Sequence, residues 1–392
     1  MNVFWEILFW VSVLCILHTY VLFPWILSLL SKNKKQNNII YFPKESELPK
    51  VSILLAAYNE EKVIEEKILS TFESNYPLEK IEFLIGSDAS TDHTNAIIEK
   101  YTFQFPQLKL IHFSGRTGKA GIINSLSDLA SNEIFILTDA NVLFDKDTIY
   151  ELVKHYKNPA ISLVGGNIVN ERVKNDGISK QEKTYLDREN IIKYQEGILW
   201  GSMIGAFGGC YSIRKSHYAK VPPRFFMDDF FITMHVLKIG GHAINEINAI
   251  CFEDISNKIS EEFRRKVRIS IGNFQNLSRY YSLLWPPFKG QAFAFLSHKV
   301  LRWFGPIFIL LMLISSIFLS MDSYFYTSWA ILQLISLLLP LYDTILKKLH
   351  IHIFILRLIT HFYLMNLALL IGLFRFIGGV KSNIWKPTER FQ

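Results

Sequence analysis

The stretch "EIFILTDANVLFDKDTI", residues 133–149, decides how the fold is read. Its apolar run reads as a short buried strand, and it ends abruptly in Thr138-Asp139-Ala140-Asn141. The strand tip therefore delivers an acid and an amide two residues apart. One account is an Asx turn capping a helix that begins near Asp145. The other is a cradle for a ligand, and the rest of the chain bears on the choice.

Working towards the N-terminus, the same unit recurs. "VSILLAAYN" reads as an apolar strand ending in a polar turn, and "EEKVIEEKILSTFES" follows with apolar residues at helical spacing and acids in its first turn. "IEFLIGSDAS" leads through Asp88-Ala89-Ser90-Thr91-Asp92 into the helix "TNAIIEKYT". "LKLIHF" supplies a third strand and "GKAGIINSLSDLA" a third helix, so "EIFILTDAN" is the fourth strand. Strands and helices in alternation predict a mostly parallel α/β sheet covered by helices. In that class ligands sit at the carboxyl ends of the strands. Those ends carry Tyr58, Asn59 and Glu60, then Asp88, then Asp139 and Asn141. Acids and amides on one edge suit a base or ribose and a diphosphate held through a divalent cation. Gly118-Lys119 opens the third helix, where backbone N–H groups, helix dipole and one ammonium converge on a phosphate position. Each element alone is also an ordinary helix cap or turn; their order is the signal.

On both sides the texture becomes that of a membrane protein. Half of the 392 residues are apolar and 14% aromatic. Residues 3–30 contain one charge, Glu6, and exceed the roughly 20 residues that a helix needs to cross a bilayer. Neither a positive n-region nor a small-residue cleavage site precedes them, so they read as a permanent anchor. Lys32, Lys34 and Lys35 follow at once and put the next segment in the cytoplasm. Apolar blocks return at 296–320, 327–346 and 351–378. One span before and about three after is the simplest count. It leaves the C-terminus outside, against the charge rule, because "KSNIWKPTER" carries Lys381, Lys386 and Arg390. The expected domains are an anchor over 1–31, a basic linker over 32–49, the α/β domain over 50–258, amphipathic interfacial helices over 259–295, membrane helices over 296–380 and a basic tail over 381–392.

Three scattered cysteines, Cys15, Cys210 and Cys251, have no metal-ligand spacing and suit a reducing cytoplasm. The net charge of +7 is explained by juxtamembrane lysines and arginines facing anionic membrane lipids. No nucleic-acid motif accompanies it.

A second acidic pair lies in "RFFMDDFFITMHVLKIGG", where Asp228-Asp229 precede a helix that stops at Gly240-Gly241. Apolar surroundings and a like-charged neighbour both raise a carboxyl pKa, as a general base requires, although acids in a first turn also stabilise a helix. Upstream, "EGILWGSMIGAFGGCYSIRKSHY" is rich in Gly and reads as a flexible wall where backbone approaches a bound ligand. Trp200 is its candidate for stacking on that ligand, a core position being the alternative. In "EEFRRKVRISIGNFQNL", Arg264, Arg265, Lys266 and Arg268 share a helix with apolar residues at helical spacing, the pattern of a helix lying at the membrane surface.

Taken in order, "LLAAYNEE", "GSDASTDHT", "GKAGIIN", "TDAN", "GGCYSIRK" and "MDDFFITMHVLKIGG" resemble the membrane-bound family 2 glycosyltransferases of GT-A fold, which include cellulose, hyaluronan and poly-N-acetylglucosamine synthases. The resemblance covers about residues 50–280. It implies an α/β GT-A (Rossmann-like) domain on the cytoplasmic face of a bacterial inner membrane. It also implies an Mg²⁺ or Mn²⁺ cofactor. Carried over residue by residue, Asp88 reads the base, a uridine, beside Ala57, Tyr58 and Glu60, and Lys119 lies near ribose and phosphates. Asp139 is the first acid of the metal-binding Asp-x-Asp. The second is replaced by Asn141, whose amide oxygen can ligate a cation but adds no charge. Asp229 matches the catalytic base and Asp228 its acidic neighbour. Arg268 matches the diphosphate-binding arginine of a Gln-x-x-Arg-Trp motif, but the Gln and Trp are missing, which argues against processive polymerisation.

The function so implied is inverting transfer of a sugar from a nucleotide-sugar donor to a lipid-linked or growing oligosaccharide acceptor, in cell-envelope or exopolysaccharide synthesis. It leaves room for export partners. Two alternatives stand beside it: loading of one sugar onto a polyprenyl phosphate, and a glycan-secretion or sensor protein that binds nucleotide without turnover.

Overall fold

The computed structural model describes residues 2–43, 47–170, 179–254, 259–349, 351 and 353–380. The chain opens with helices α1 (Asn2–Leu17) and α2 (Phe23–Ser31), joined through a π-helical turn at His18–Leu22. The turn sits just before Pro24, whose missing N–H prevents a regular ladder there.

The α/β domain follows. Strands β1 (Val51–Ala57), β2 (Ile81–Asp88), β3 (Leu108–Phe113) and β4 (Ile134–Thr138) are connected by α3 (Ile64–Phe72), α4 (Thr94–Gln104) and α5 (Lys119–Leu129). Beyond them come β5 (Val142–Phe144), α6 (Thr148–Val153), β6 (Ile161–Val169), α7 (Ser179–Trp200), β7 (Cys210–Arg214), α8 (Asp228–Lys238) and β8 (His242–Glu253). The eight strands form one sheet in the order β3-β2-β1-β4-β7-β6-β8-β5. β1, β2, β3 and β4 pair in parallel, as the alternating pattern predicts, whereas β7 runs antiparallel to β4 and β6. Every residue of β1 is buried, the signature of a strand covered on both faces. Leu54 and Ala56 pack into one core with Phe135, Phe230 and Met234, while Ile53, Leu55 and Ala57 pack into the other with Ile64, Ile68 and Ile149. This is the period-2 alternation of a pleated strand. The helix expected near Asp145 begins later, at Thr148, because residues 142–144 are drawn into the sheet against β8.

The remaining helices are α9 (Ile259–Tyr280), α10 (Gly290–Ala294), α11 (Leu301–Trp303), α12 (Gly305–Leu319), α13 (Tyr324–Lys348) and α14 (Phe354–Ile377). Among the described residues, three helices are long and apolar enough to cross a membrane: Asn2–Ser31, Tyr324–Lys348 and Phe354–Ile377. The first predicted C-terminal block is not one straight span. Residues Gly290–Trp303 and Gly305–Leu319 meet at 62°, with Pro306 in the first turn of the second piece. Counting the bent pair as one span gives four.

On α9 the basic cluster divides. Lys266 turns inward to Glu182 and Glu262 at 3.2 Å each and Arg265 pairs with Glu262, whereas Arg264 is exposed beside Glu261. The helix also packs on α14, where the Ser270 hydroxyl donates to the Leu369 carbonyl at 2.9 Å. The basic tail over 381–392 and the domain boundary at 258 lie outside the described residues.

Candidate active site

The register of the sheet brings the polar strand ends together. Val51 aligns with both Ile81 and Ile134, so β1, β2 and β4 finish on one edge at Ala57, Asp88 and Thr138. The tip of β4 is pinned from both sides. The Thr138 hydroxyl donates to the Gly209 carbonyl at 2.9 Å, and the fully buried Lys67 ammonium donates to Thr138 Oγ1 at 3.0 Å and to the Val142 carbonyl at 2.6 Å. Burial pulls the Lys67 pKa down to about 8. Sequence reading passed over this lysine, although its place among Ile64, Ile68 and Thr71 on the inner face of α3 marks it.

Asp88 acts on the same edge through the loop that follows β3. Its carboxylate, fully buried, accepts hydrogen bonds from Arg116 Nε at 3.1 Å and from the backbone N–H groups of Thr117 and Gly118. The Arg116 guanidinium lies 3.2 Å from the centre of the Tyr58 ring. Asn59 and Ala89 take left-handed backbone, φ 54° and 56°, a strained geometry that concentrates at functional sites. This scaffold fixes the start of α5, so Lys119 reaches Asp139 Oδ1 at 2.7 Å, Asp228 Oδ2 at 3.7 Å and the Gly208 carbonyl at 3.3 Å. Burial works against the Lys119 charge, but Asp139 and then Asp228 outweigh it and raise the pKa.

Asp228 and Asp229 open α8 immediately after Met227, which is held at φ 59°. Asp229 is 8% exposed, and one of its oxygens accepts the Phe230 N–H at 2.8 Å. Burial, then the neighbouring Asp228 charge, pushes its pKa up to about 6. The Gly205–Gly209 loop lies against it. Thr233 accepts the Ala206 N–H at 3.1 Å and donates to the Asp229 carbonyl at 2.8 Å, tying the loop to the helix. A Cβ at Gly208 would come within 2.8 Å of Asp229 Oδ2, so only glycine lets the backbone approach this carboxylate.

A cavity of about 1570 Å³ opens in front of these groups. Glu60, Lys119, Asp139, Asn141, Asp228, Asp229 and Arg268 all line it. Ala57, Tyr58 and Asp88 do not; they stand behind the wall. Trp200 does not line it either. It packs under α10, where a Cβ at Gly290 would come within 2.2 Å of its ring, and against Phe293, so the aromatic serves the core.

Lining residues that sequence reading missed include Glu182, Glu189 and Lys193 of α7, which fall at spacings of seven and four on one helical face, and that periodicity was the available signal. Glu189 meets Lys299 at 2.9 Å, His298 at 3.1 Å and Arg302. Burial would raise its pKa, but Arg302 and Lys299 hold it well below the ordinary carboxylate value.

The donor set for a metal is oxygen-rich. Asn141 gives its amide N–H to Glu253 Oε1 at 3.2 Å, which leaves its oxygen for a cation beside Asp139. Asp228 Oδ2 is buried without a hydrogen-bond partner among the described residues. No three His, Cys, Asp or Glu side chains among the described residues gather as a metal cluster. The set therefore fits a hard divalent cation only when ligand oxygens, such as those of a diphosphate, complete the sphere.

Residues 52–221 match the family model "Glycosyl transferase family 2". The poly-beta-1,6-N-acetyl-D-glucosamine synthase of Staphylococcus epidermidis is 27% identical over 253 residues, 61% of this chain and 57% of that protein. The beta-monoglucosyldiacylglycerol synthase of Synechocystis is 27% identical over 162 residues, 39% of this chain and 34% of that one. The matches thus span between a third and three fifths of these relatives. Among solved structures, the mannosyltransferase PcManGT from Pyrobaculum calidifontis, in complex with GDP-Man and Mn²⁺, superposes with a TM-score of 0.71 at 19% identity, covering 94% of this chain and 99% of the other. That likeness extends the shared fold over the apolar helices. The chain carries a glycosyltransferase domain of family 2, built on the GT-A fold.

Proposed function

We propose that the protein is an inverting glycosyltransferase. It moves a sugar from a nucleoside diphosphate sugar, UDP-linked in our assignment, to a lipid-linked or growing glycan acceptor at the cytoplasmic face of the membrane. The observation that carries this reading is that Lys119, Asp139 and Arg268 line one cavity together with a buried Asp229 whose pKa is raised. A donor diphosphate and an acceptor hydroxyl need those two chemistries side by side.

Asp229 takes the acceptor proton as the hydroxyl oxygen attacks the anomeric carbon. The bond to the diphosphate breaks on the opposite face, which inverts the configuration. A pKa of about 6 leaves Asp229 ionised at neutral pH yet basic enough to accept that proton. Lys119 and Arg268 neutralise the charge that builds on the leaving diphosphate. Asp88 acts through the 116–118 loop, holding Lys119 at the helix start, and Tyr58 and Arg116 form a stacked floor beside it. Asp139 and Asn141 would hold Mg²⁺ or Mn²⁺, which bound there supplies further positive charge to the diphosphate. Glu60 lines the cavity near the base position.

The test is donor binding with and without divalent cation. Asp139→Ala weakens metal-dependent binding of the nucleotide sugar by about tenfold or more on this assignment. Unaltered metal dependence would remove Asp139 from it.

A further inference from the structure

Among the described residues, Lys193 is a cavity cation that no carboxylate holds. Lys193 is 2% exposed, lies on the inner face of α7 and lines the cavity. Its ammonium rests 3.1 Å from the centre of the Phe207 ring and makes no hydrogen bond or ion pair among the described residues. The acids next to it are already committed. Glu189 is held by Lys299, His298 and Arg302, and Glu196 pairs with His298 Nδ1 at 2.7 Å while accepting the Ile204 N–H at 2.9 Å. An ammonium withdrawn from water without an anion is costly, so the group sheds its proton readily until an anion arrives beside it. Burial, then the Lys299 charge, draws its pKa down to about 7, the behaviour of a cation short of counter-charge.

The surroundings of Lys193 indicate which anion. On one side the cavity wall carries Asp229, close enough for the two charges to influence each other. On another it is lined by Ile16 of the first apolar helix and by Leu358, Ile359, Phe362 and Leu369 of α14. These helices are long and apolar enough to cross a membrane. An amphiphile fits: apolar chains against α1 and α14, a phosphate at Lys193, and a hydroxyl beyond the phosphate at Asp229.

We propose that Lys193 is the phosphate-binding residue of an acceptor-lipid site, and that the acceptor is a lipid whose phosphate links its apolar chain to a hydroxyl-bearing head group. The inference rests on the transferase reading and adds the acceptor class to it. The hydroxyl oxygen forms the new bond to the anomeric carbon, its proton goes to Asp229, and nucleoside diphosphate leaves. The lipid phosphate stays intact.

The experiment uses the full chain in nanodiscs. Binding is measured for phosphatidylglycerol, for a prenyl-diphosphate-linked monosaccharide and for a neutral glucosyldiacylglycerol, with wild type, Lys193→Met and Lys193→Arg. The expected result is that at least one phosphate lipid binds about tenfold or more tightly than the neutral glycolipid, that Lys193→Met loses that advantage, and that Lys193→Arg retains most of it. Which phosphate lipid prevails separates a glycerophospholipid from a prenyl-linked source. Equal binding of the neutral glycolipid by wild type, or unchanged phosphate-lipid binding by Lys193→Met, overturns the proposal. If the methionine variant does not fold, Lys193→Gln, which stays polar but carries no charge, decides: a phosphate-lipid preference that Lys193→Gln keeps unchanged removes the ammonium contact. Nucleotide-sugar binding by wild type without added lipid is read in parallel, so failure of the transferase reading is seen separately.

Discussion

Asp229 carries two opposed demands, and both are measurable. As a base it must be ionised, so turnover should fall about tenfold per pH unit below its pKa of about 6 and level off above it. A pH–rate profile under saturating donor checks this. Stability runs the other way. A folded-state pKa raised from 3.8 means that the buried carboxyl favours folding fully only below the unfolded value, and that this contribution is lost as pH rises through about 6. At pH 8 the ionised form therefore costs up to roughly 3 kcal/mol. Asp229→Asn keeps the oxygen that accepts the Phe230 N–H and removes the charge. It should abolish turnover by about a thousandfold while raising the melting temperature at pH 8. A variant that loses both activity and stability would contradict the assignment. The residue was legible because two acids in an apolar run are rare. Lys193 and Lys67 were not, because a lysine inside a helix reads as solvated until packing places it.

Elements position these groups through close approach. Gly208 brings the loop before β7 against Asp229, and Gly208→Ala puts a methyl 2.8 Å from its oxygen. The loop must then retreat, so kcat should fall by about tenfold or more while stability drops by an overpacking cost of about 1–3 kcal/mol. Steady-state kinetics beside thermal unfolding reads both. At the β4–β5 turn, Asn141→Asp replaces a donor to Glu253 by a second carboxylate. Without divalent cation it should destabilise the protein, and with Mn²⁺ it should bind the metal more tightly, a reversal that calorimetry detects. No change in metal affinity places Asn141 outside the coordination sphere. The alternating strands and helices of the first four units were readable from local periodicity alone. β5 was missed because three residues carry no period, and its pairing with β8 is set more than a hundred positions away.

At the scale of the molecule, the α/β domain is fastened to the apolar C-terminal helices by buried charge. Glu189 on α7 ties to His298, Lys299 and Arg302, and Glu182 ties to Lys266 on α9 and to His361 on α14 at 2.6 Å. Glu189→Gln leaves Lys299 and Arg302 without their counter-charge and should cost about 3–5 kcal/mol, seen as a lower melting temperature in detergent. An unchanged melting temperature would mean that these ties carry no stability. The apolar helices were plain in composition, whereas the fastening was hidden, since it joins acids and bases spread from residue 182 to residue 361. Such pairing over long sequence distance has no local signature. The bend at Phe304 likewise became visible only in three dimensions, although Pro306 marks its place.

The central claim is that the cavity transfers a sugar with Asp229 as base. Its most direct test is nucleoside diphosphate release by the purified chain with Mg²⁺ or Mn²⁺ across a panel of nucleotide sugars, for wild type and Asp229→Asn. The account predicts release from one donor by wild type and none by Asp229→Asn, with donor binding intact in both. Release that persists in Asp229→Asn would remove Asp229 as the base, and donor binding without release by wild type, in the presence of membrane lipid extract, would contradict transfer itself.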